Sequence, residues 1–533
     1  MITWATLVAA LAIWGLGRTA LSLVPVAGER SRLEEHSLSV LLGLALWAAL
    51  IAGAGLADPI ATLGRSAGFG ATAVAIAAGF FAAWRARCAR CARASDAPPA
   101  VREPWKTTER LAAGLVLILA AFAVFYAASM PVHIFDPVFH FAYKGKLLYY
   151  EGLMGPGWTD VEDAVGRVIT HPDYPPGVGA IEALVAALTG SFEADAARPL
   201  FALFVLGVAG LLFARLRESS RRAALTGSLM WLALPFLYYS RLPHPDWVTG
   251  SLGLFLGPDA GERLLGLGDW TMPDGWTLDG AGDLPLAALF SAGALLLFSA
   301  VFSAASERRR GDFALAGLLL GGGALMKNEG LALLPVALVA VLLSYLATRA
   351  TARRAPRAAL RPVALTFGLA LVVASPWLLV RGSAPTTGED YPARLSPSGL
   401  LTAAASTQPM TLDTKPPRVV ERRVPRIVAG GFLTAFCNLP RFGLLWLLFF
   451  GVLGFTLARR RERLAGTPLA TALAVLGASA LYALVLVVTP WNLDTLFRTA
   501  IPDRLIFHVA PLAIFALVLL LEEPDESAAD QPS

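Results

Sequence analysis

The chain has 533 residues, of which 56% are hydrophobic and only 16% are charged. A soluble globular protein has about 45–50% apolar and about 25% charged residues, so the composition excludes an ordinary soluble protein. The formal net charge of +5 reflects arginines collected in short loops between apolar runs. That pattern is typical of membrane orientation and not of nucleic-acid binding.

The apolar residues form runs of about 17–25, the length of helix that crosses about 30 Å of hydrocarbon. In lipid, backbone polar groups must be satisfied within each segment, so these runs are expected to be helices. We therefore predict an all-α fold, a polytopic transmembrane helical bundle of about 11–13 spans with long outer-face loops. A short apolar stretch, 181–188, is compatible with a re-entrant or an interfacial segment. The predicted spans are roughly 2–24, 37–57, 66–84, 111–130, 198–214, 223–240, 284–304, 313–326, 331–347, 363–380, 431–458, 467–488 and 505–521.

Arginine clusters determine the predicted orientation of these spans. The longest basic segment has a Pro98–Pro99 centre and is expected to be a cytoplasmic linker. The other arginine clusters then fall on the same side, which puts the N-terminus outside and the C-terminus inside. The chain divides into an N-terminal three-helix membrane extension at 1–84, the Arg-rich linker at 85–110, a membrane domain at 111–521 and a disordered acidic tail at 522–533.

The predicted outer loop at 131–197 begins with a dense polar stretch directly after a span. It contains His133, Asp136 and His140. A carboxylate at the lipid–water boundary can reach both a polar substrate and a lipid headgroup. There Asp136 would act as a general base on a hydroxyl or as a metal ligand, and the histidines are further candidate ligands. The alternative is that Asp136, followed by Pro137, caps an interfacial helix.

The same loop contains a second polar motif, HPDYPPG, which runs from His171 to Gly177. Adjacent prolines stiffen the chain in an extended form, and they would hold the Asp173 carboxylate, the His171 imidazole and the Tyr174 ring in one site. The alternative is an ordinary entry from a loop into a helix, with proline in the first turn.

Further charged residues stand at the predicted outer ends of spans. Asp283 precedes Leu-Pro at the outer end of an apolar helix. It would line a site there, and the alternative is that it caps the helix N-terminus. Lys327 and Glu329 lie between two short apolar helices. Charge at membrane depth is costly, which indicates a function, and a lysine there is suited to bind a lipid-linked phosphate. The alternative is a hairpin turn in which both charges are solvated or paired. Arg504 opens the last span on the outer side, against the positive-inside bias, and there it could bind an anion; snorkelling to the interface is the alternative.

Taken together, these positions resemble the GT-C superfamily of integral-membrane glycosyltransferases, which use polyprenyl-phosphate sugar donors. Similar bacterial enzymes are the protein-mannosyltransferase-like and aminoarabinose-transferase-like groups. The resemblance covers roughly 111–520 and rests on five elements in order along one predicted membrane face. These elements are Phe135-Asp136-Pro137 running into Lys144 to Tyr150, Tyr174-Pro175-Pro176, Asp283 to Ala287, Leu325 to Gly330, and Arg504 followed by Pro511.

Two features depart from the family pattern. Three predicted spans precede the catalytic loop, where the family usually has one. Pro137 also follows Asp136, where many relatives carry a second acid.

The resemblance implies a GT-C-type catalytic domain at 111–521, acting as an inverting hexosyl- or pentosyltransferase. Asp136 would be the catalytic base on the acceptor hydroxyl, and Lys327 and Arg504 would bind the donor phosphate. The implied site has room for a divalent cation but does not require one; its candidate ligands are Asp136, His171 and Asp173. The remaining residues implied to line the substrate or metal site are Asp283, Asp173, Tyr174, His140, His133 and Glu329.

The implied partners are a polyprenyl-phosphate sugar donor, a lipid, protein or polysaccharide acceptor, and membrane lipid. The active site would lie on the periplasmic or extracellular side of the cytoplasmic (inner) membrane. Two other functions stay open. A transporter or flippase of lipid-linked sugars would have charged residues at mid-span and broken helices in matching halves. A catalytically inactive scaffold subunit would explain the missing second acid.

Overall fold

The structure is a computed structural model that describes most of the chain. The described residues are 2–24, 30–94, 104–129, 137–159, 171–238, 278, 281–302, 310–352, 357–384, 394–405, 407–409, 420–422, 424, 426–489 and 500–522.

Four long helices make up the N-terminal part of the bundle. Hydroxyl caps begin the first two, because the Thr3 and Ser31 side chains each accept a backbone N–H at 3.2 Å. Glycines let these helices pack closely: a Cβ added at Gly15 would lie 2.3 Å from the carbonyl oxygen of Ala75. The helices are α1 (Trp4–Leu23), α2 (Arg32–Ala57), α3 (Gly64–Ala94) and α4 (Thr107–Ser129), with a 3-10 turn at Ile60–Leu63 before α3.

Short helices follow in the first predicted outer loop. They are α5 (Tyr143–Glu151), α6 (Pro156–Thr159), α7 (Gly177–Thr189) and α8 (Ala194–Ala197), after a π-helical turn at Pro137–Ala142. The sequence left the placement of 181–188 open, and this stretch belongs to α7. That helix has 13 residues and is buried from Gly177 to Leu188. It is too short to cross a membrane alone.

The centre of the bundle is α11, in which every residue from Asp283 to Ala300 is buried. It contacts α9 and α12, so an almost wholly apolar helix is surrounded by other helices. The helices of this part are α9 (Phe201–Leu216), α10 (Arg221–Leu232), α11 (Asp283–Phe302), α12 (Arg310–Met326), α13 (Asn328–Ala352) and α14 (Arg357–Val380), with 3-10 turns at Arg198–Leu200, Pro235–Leu237 and Arg381–Ser383.

The C-terminal part contains the described strands, a two-stranded antiparallel ladder in which Gln408 is opposite Glu421. The elements are α15 (Pro397–Ala405), β1 (Thr407–Pro409), β2 (Val420–Arg422), α16 (Thr434–Phe436), α17 (Leu439–Phe442), α18 (Leu445–Arg459), α19 (Thr467–Val488), α20 (Ile501–Phe507) and α21 (Ala510–Leu521), with a π-helical turn at Arg426–Leu433 and a 3-10 turn at Arg461–Arg463.

The predicted multi-pass helical membrane protein is confirmed in its coarse form. Within the described ranges, nine helices are long and apolar enough to cross a membrane, or up to ten if α20 and α21, bent by 54° relative to each other, form one span. Three further apolar helices are shorter and cover Gly177–Thr189, Gly311–Met326 and Leu445–Arg459.

Two predicted spans differ from the observed helices. The span at 223–240 is represented by the 12-residue α10 and a 3-10 turn that begins at Pro235. The run at 431–458 is interrupted before α18, at Pro440 and at Gly443, whose φ is +55°. Proline lacks a backbone N–H, and a left-handed glycine ends a helix, so both runs break where the sequence carries these residues.

Ion pairs join helices at one end of the bundle. Arg215, near the end of α9, contacts Glu34 at 2.6 Å and Asp312 at 3.1 Å. Arg30 also contacts Asp312. We call these four residues the Arg215 cluster. It links the N-terminal helix α2 to α9 and α12 of the 111–521 region, at ends that the sequence predicts to be cytoplasmic.

Candidate functional site

A buried carboxylate, Asp283, lies at the start of α11 and joins three side chains from two other segments of the chain. Its exposed fraction is 0%. Oδ1 accepts hydrogen bonds from Lys327 Nζ at 2.9 Å and from His508 Nε2 at 2.8 Å. Oδ2 is 2.9 Å from Arg504 Nε and 2.8 Å from Arg504 Nη2. Because an unpaired buried carboxylate is costly, these charge-assisted bonds are what allow Asp283 to stay ionised there.

Lys327 occupies the turn between α12 and α13, and its side chain is 6% exposed. Besides Asp283 it contacts Glu329 Oε1 at 2.9 Å. Asp283 and Glu329 supply two negative charges, and Lys327 and Arg504 supply two positive ones. We call these four residues together with His508 the Asp283 cluster; its formal charge is balanced.

The last span is broken beside this cluster. α20 and α21 are bent by 54°, and the fully buried His508 lies at the break. Its Nδ1 is 2.8 Å from the hydroxyl of Tyr482 on α19. Since Nε2 has to donate to the Asp283 carboxylate, Nδ1 accepts from Tyr482, which selects one tautomer of a neutral imidazole. Arg504 lies one helical turn before His508, so both side chains reach the same carboxylate.

A third buried cation, Lys144 of α5, holds the loop that leads into α7. Its Nζ donates to the carbonyl oxygen of Tyr174 at 3.2 Å and to that of His171. The ring centroids of Trp158 and Tyr174 lie 5.7 and 5.3 Å from Nζ, within range of a cation–π interaction. Burial lowers the pKa of Lys144 well below its ordinary value, and the nearby Asp173 opposes that shift.

We call residues 171–176 the His171 loop. Its rings pack against each other and against His140 of the turn at Pro137–Ala142. The ring centroids of His140 and His171 are 4.6 Å apart, and those of His171 and Tyr174 are 4.8 Å apart. His171 has a φ of +55°, a left-handed conformation that is uncommon outside glycine. Burial raises the pKa of the Asp173 carboxyl above its ordinary value, while Lys144 acts against the shift.

The His171 loop packs directly against the Asp283 cluster. Asn328, between Lys327 and Glu329, donates from Nδ2 to the carbonyl oxygen of Asp173 at 3.1 Å. Directly after the loop, a Cβ added at Gly177 would lie 2.4 Å from the carbonyl oxygen of Leu325, so the start of α7 closely approaches the end of α12. The loop and the cluster therefore form one polar site at one end of the bundle.

Three buried side-chain oxygens at this junction lack a hydrogen-bond partner among the residues that the structure describes. They are Asp173 Oδ1, Asn328 Oδ1 and Glu329 Oε2. Buried polar atoms in folded proteins are nearly always hydrogen-bonded. These acceptors therefore indicate a place where donors from a ligand or from water bind.

The contacts distinguish between the alternatives that the sequence left open for three charged residues. Asp283 is bonded to side chains from other segments, which is the geometry of an ion-pair acceptor and not of a helix cap. The Arg504 side chain is 8% exposed and does not extend to the interface. Lys327 is paired with Glu329, as the hairpin-turn alternative predicts. It is also buried and bonded to Asp283. The structure thus brings these three residues together.

The predicted catalytic base, Asp136, and the nearby His133 lie outside the described residues, so their place in the site stays a prediction. The description resumes at Pro137, in the turn that carries His140. Of the three candidate metal ligands, His171 and Asp173 share the His171 loop. In the described part of the chain, no group of three or more His, Cys, Asp or Glu residues is placed to hold a metal ion.

Two members of the site, His508 and Tyr482, are not among the residues that the sequence predicts for it. Both are polar groups within the apolar runs 505–521 and 467–488. A polar side chain in such a run is costly unless it finds a partner, and that cost was the available signal. Asn328 is a further member of the site, and the sequence indicates it only as part of the segment from Leu325 to Gly330.

Comparisons with known proteins identify no relative. A scan against protein-family models found no match, and no curated protein and no solved structure matches the chain. Function therefore has to be inferred from the site itself.

Proposed function

We propose that the protein is a membrane glycosyltransferase that moves a sugar from a polyprenyl-phosphate donor to an acceptor hydroxyl, with inversion at the anomeric carbon. The observation that carries the proposal is the junction of the Asp283 cluster with the His171 loop. There two buried cations lie beside three buried oxygens for which the described residues offer no donor. A sugar phosphate offers the complementary groups, since its phosphate oxygens accept and its hydroxyls donate.

Lys327 and Arg504 would bind the donor phosphate. Asp283 holds both side chains in place, at 2.9 Å and 2.8 Å, so little side-chain freedom is lost when the ligand binds. Within the described residues, Lys327 Nζ contacts two carboxylates, which leaves a third ammonium hydrogen for a phosphate oxygen. In this arrangement Asp283 positions the two cations and does not itself contact the sugar.

Asp173 Oδ1, Asn328 Oδ1 and Glu329 Oε2, which find no donor among the described residues, would accept hydrogen bonds from sugar hydroxyls. A buried acceptor without a donor costs free energy, and each such bond removes that cost. It therefore stabilises the complex more than a bond that only replaces a hydrogen bond to water. His140 and Tyr174 are both partly buried beside these acceptors and would line the same pocket.

The transfer needs a base, and we assign that role to Asp136. It would take the proton of the acceptor hydroxyl as the acceptor oxygen bonds to the anomeric carbon. The bond between that carbon and the phosphate oxygen breaks, and the phosphate leaves with the electron pair. Lys327 and Arg504 would stabilise the negative charge that develops on it. Attack opposite the leaving group gives the inversion.

We assign this chemistry to the outer face of the cytoplasmic membrane, because the arginine clusters predict that the opposite end of the bundle is cytoplasmic. The acceptor is then a lipid, a protein or a polysaccharide of the cell envelope. In all three cases the donor would reach the site from within the membrane.

A transporter or flippase of lipid-linked sugars is the main alternative. Transport would need charged or polar groups along a path between the two ends of the bundle. Among the described residues, the ionic clusters built around Asp283 and around Arg215 lie at opposite ends. This distribution favours chemistry at one end.

Reconstitution of the purified full chain in liposomes tests the proposal. The liposomes contain the polyprenyl-phosphate sugar fraction of the host together with an envelope fraction as acceptor, and mass spectrometry follows the release of free polyprenyl phosphate. The wild type is expected to release it. Lys327→Gln and Arg504→Gln are each expected to slow release about 100-fold or more, as is typical when one donor to developing charge is removed.

The matched control is Arg217→Gln, which removes an exposed arginine at the other end of the bundle. It should retain the wild-type rate. If Lys327→Gln and Arg504→Gln were as active as this control, the proposed phosphate site would be wrong. Movement of the donor across the bilayer without release of polyprenyl phosphate would instead identify a flippase.

A further inference from the structure

A cleft separates α1, α2 and α3 at the end of the bundle opposite the Asp283 cluster. α1 and α3 touch at Gly15 and Gly79, where a Cβ added at Gly79 would lie 2.3 Å from the Cα of Gly15. Beyond this contact, toward Arg18 and Arg85, the cleft has a volume of about 490 Å³. Small-molecule sites typically have volumes of about 300–1,000 Å³.

The charged side chains that line the cleft are mostly arginines. Arg18 and Arg90 share a single carboxylate, that of Glu35, at 2.9 and 3.0 Å. Arg85 adds another positive charge and is exposed at the mouth. Arg30 is paired with Asp312 outside the cleft. Since Glu35 balances only one of the other three arginines, the described lining is net positive. Its charged members are Arg18, Arg30, Glu35, Arg85 and Arg90.

Two of these arginines present donors that nothing in the described residues accepts. Arg18 is 4% exposed, and its buried Nε has no hydrogen-bond partner there. The same holds for the buried Nε of Arg90. A buried donor without an acceptor costs free energy, so an acceptor that enters the cleft would remove that cost. Phosphate oxygens match guanidinium donors in both charge and geometry.

We infer that this cleft binds the headgroup of an anionic phospholipid. Its phosphate would accept from Arg18 and Arg90, with Arg85 at the entrance. The acyl chains would cover the apolar lining at the mouth, where Leu23 is 77% exposed and Phe81 is 57% exposed. Basic pockets between transmembrane helices on the cytoplasmic side bind lipid headgroups in this way. The site is separate from the Asp283 cluster and independent of the proposed transferase reaction.

Native mass spectrometry of the full chain tests the inference. The protein is titrated with dioleoylphosphatidylglycerol, which is anionic, and with dioleoylphosphatidylcholine, which is zwitterionic. The wild type is expected to bind the anionic lipid more tightly. Arg85→Gln and Arg90→Gln should each weaken that binding about fivefold, the usual contribution of one arginine near an anionic membrane surface.

Arg87→Gln is the matched control, because Arg87 is exposed on the same helix but does not line the cleft. It should bind the anionic lipid as the wild type does. Arg85 is exposed, so its replacement leaves folding unaffected and the test stays decisive. An equal loss in Arg87→Gln, or equal affinity for both lipids, would overturn the inference. Displacement of the anionic lipid by inorganic phosphate at equal concentration would assign the cleft to a free anion and would also overturn it.

Discussion

At the scale of single residues, Asp283 is a carboxylate without solvent exposure whose charge depends on side chains from other segments. Removal of a carboxylate from water costs several kcal/mol, and attraction to Lys327 and Arg504 offsets this cost only when the geometry is good. Well-packed hydrophobic residues often stabilise a fold as much as a buried ion pair does. The proposal that the Asp283 cluster binds a ligand would explain why charged residues, and not hydrophobic ones, occupy this buried position.

Asp283→Asn is expected to lower the free energy of unfolding by about 3–5 kcal/mol, because Lys327 and Arg504 keep their charges and lose the shared counter-charge. The thermal unfolding midpoint in detergent measures the change. Asp58→Asn, at an exposed aspartate that ends α2, is the control and should stay within about 0.5 kcal/mol of the wild type. Equal midpoints for the two variants would show that Asp283 does not balance the two cations.

At the scale of elements, the contact between α5 and α7 positions the His171 loop. α5 carries Lys144, and the loop whose carbonyls Lys144 binds leads directly into α7. Gly145 and Gly179 form the crossing, where a Cβ added at Gly179 would lie 2.5 Å from the Gly145 nitrogen. A side chain at either position must push the helices apart, and Lys144 would move away from the loop.

Gly179→Ala is therefore expected to destabilise the protein by about 1–3 kcal/mol through overpacking and to slow transfer. Gly368→Ala provides the comparison, because a Cβ added at Gly368 in α14 meets nothing within 4 Å. That change should be neutral or stabilise by about 0.5–1 kcal/mol, since alanine is the better helix former. The unfolding midpoints and transfer rates of both variants measure these effects. If the two substitutions shifted the midpoint alike, the crossing would not be as tight as the structure has it.

At the scale of the whole molecule, the Asp283 cluster and the Arg215 cluster mark opposite ends of the bundle. The positive-inside rule predicts that the Arg215 end faces the cytoplasm. The position of the proposed chemistry in the cell depends on this orientation, so the orientation needs its own test.

Cysteine labelling provides that test. In a chain without Cys88, Cys91 and Cys437, Ser191→Cys and Ser219→Cys place exposed thiols before and after α9. A membrane-impermeant maleimide should modify Ser191→Cys in intact cells and Ser219→Cys only after permeabilisation. The reverse labelling pattern would put the Asp283 cluster in the cytoplasm and contradict the proposed location.

The sequence was sufficient for the helical membrane architecture, because hydrocarbon thickness sets the length of an apolar run. Hydrophobicity alone did not predict the breaks, such as the one before Pro235, although the prolines and glycine that cause them stand in the sequence. Asp283 and Arg504 could each be predicted as site residues, because a charge next to an apolar span is costly. The contact between them could not be predicted, because tertiary packing brings together residues that are 221 positions apart in the sequence. His508 was missed because its partner is visible only in the fold, and the role of Asp136 stays a prediction.

Mass spectrometry of envelope glycans and prenyl-linked sugars, in a strain that lacks the protein, tests the transferase proposal most directly. The strain is complemented with the wild type or with Asp136→Asn, and both proteins are checked for equal amounts in the membrane. We expect the strain without the protein to accumulate one polyprenyl-phosphate sugar and to lose that sugar from an envelope glycan. The wild type should restore it and Asp136→Asn should not. Full restoration by Asp136→Asn, or unchanged prenyl-linked sugars in the strain without the protein, would contradict the proposal.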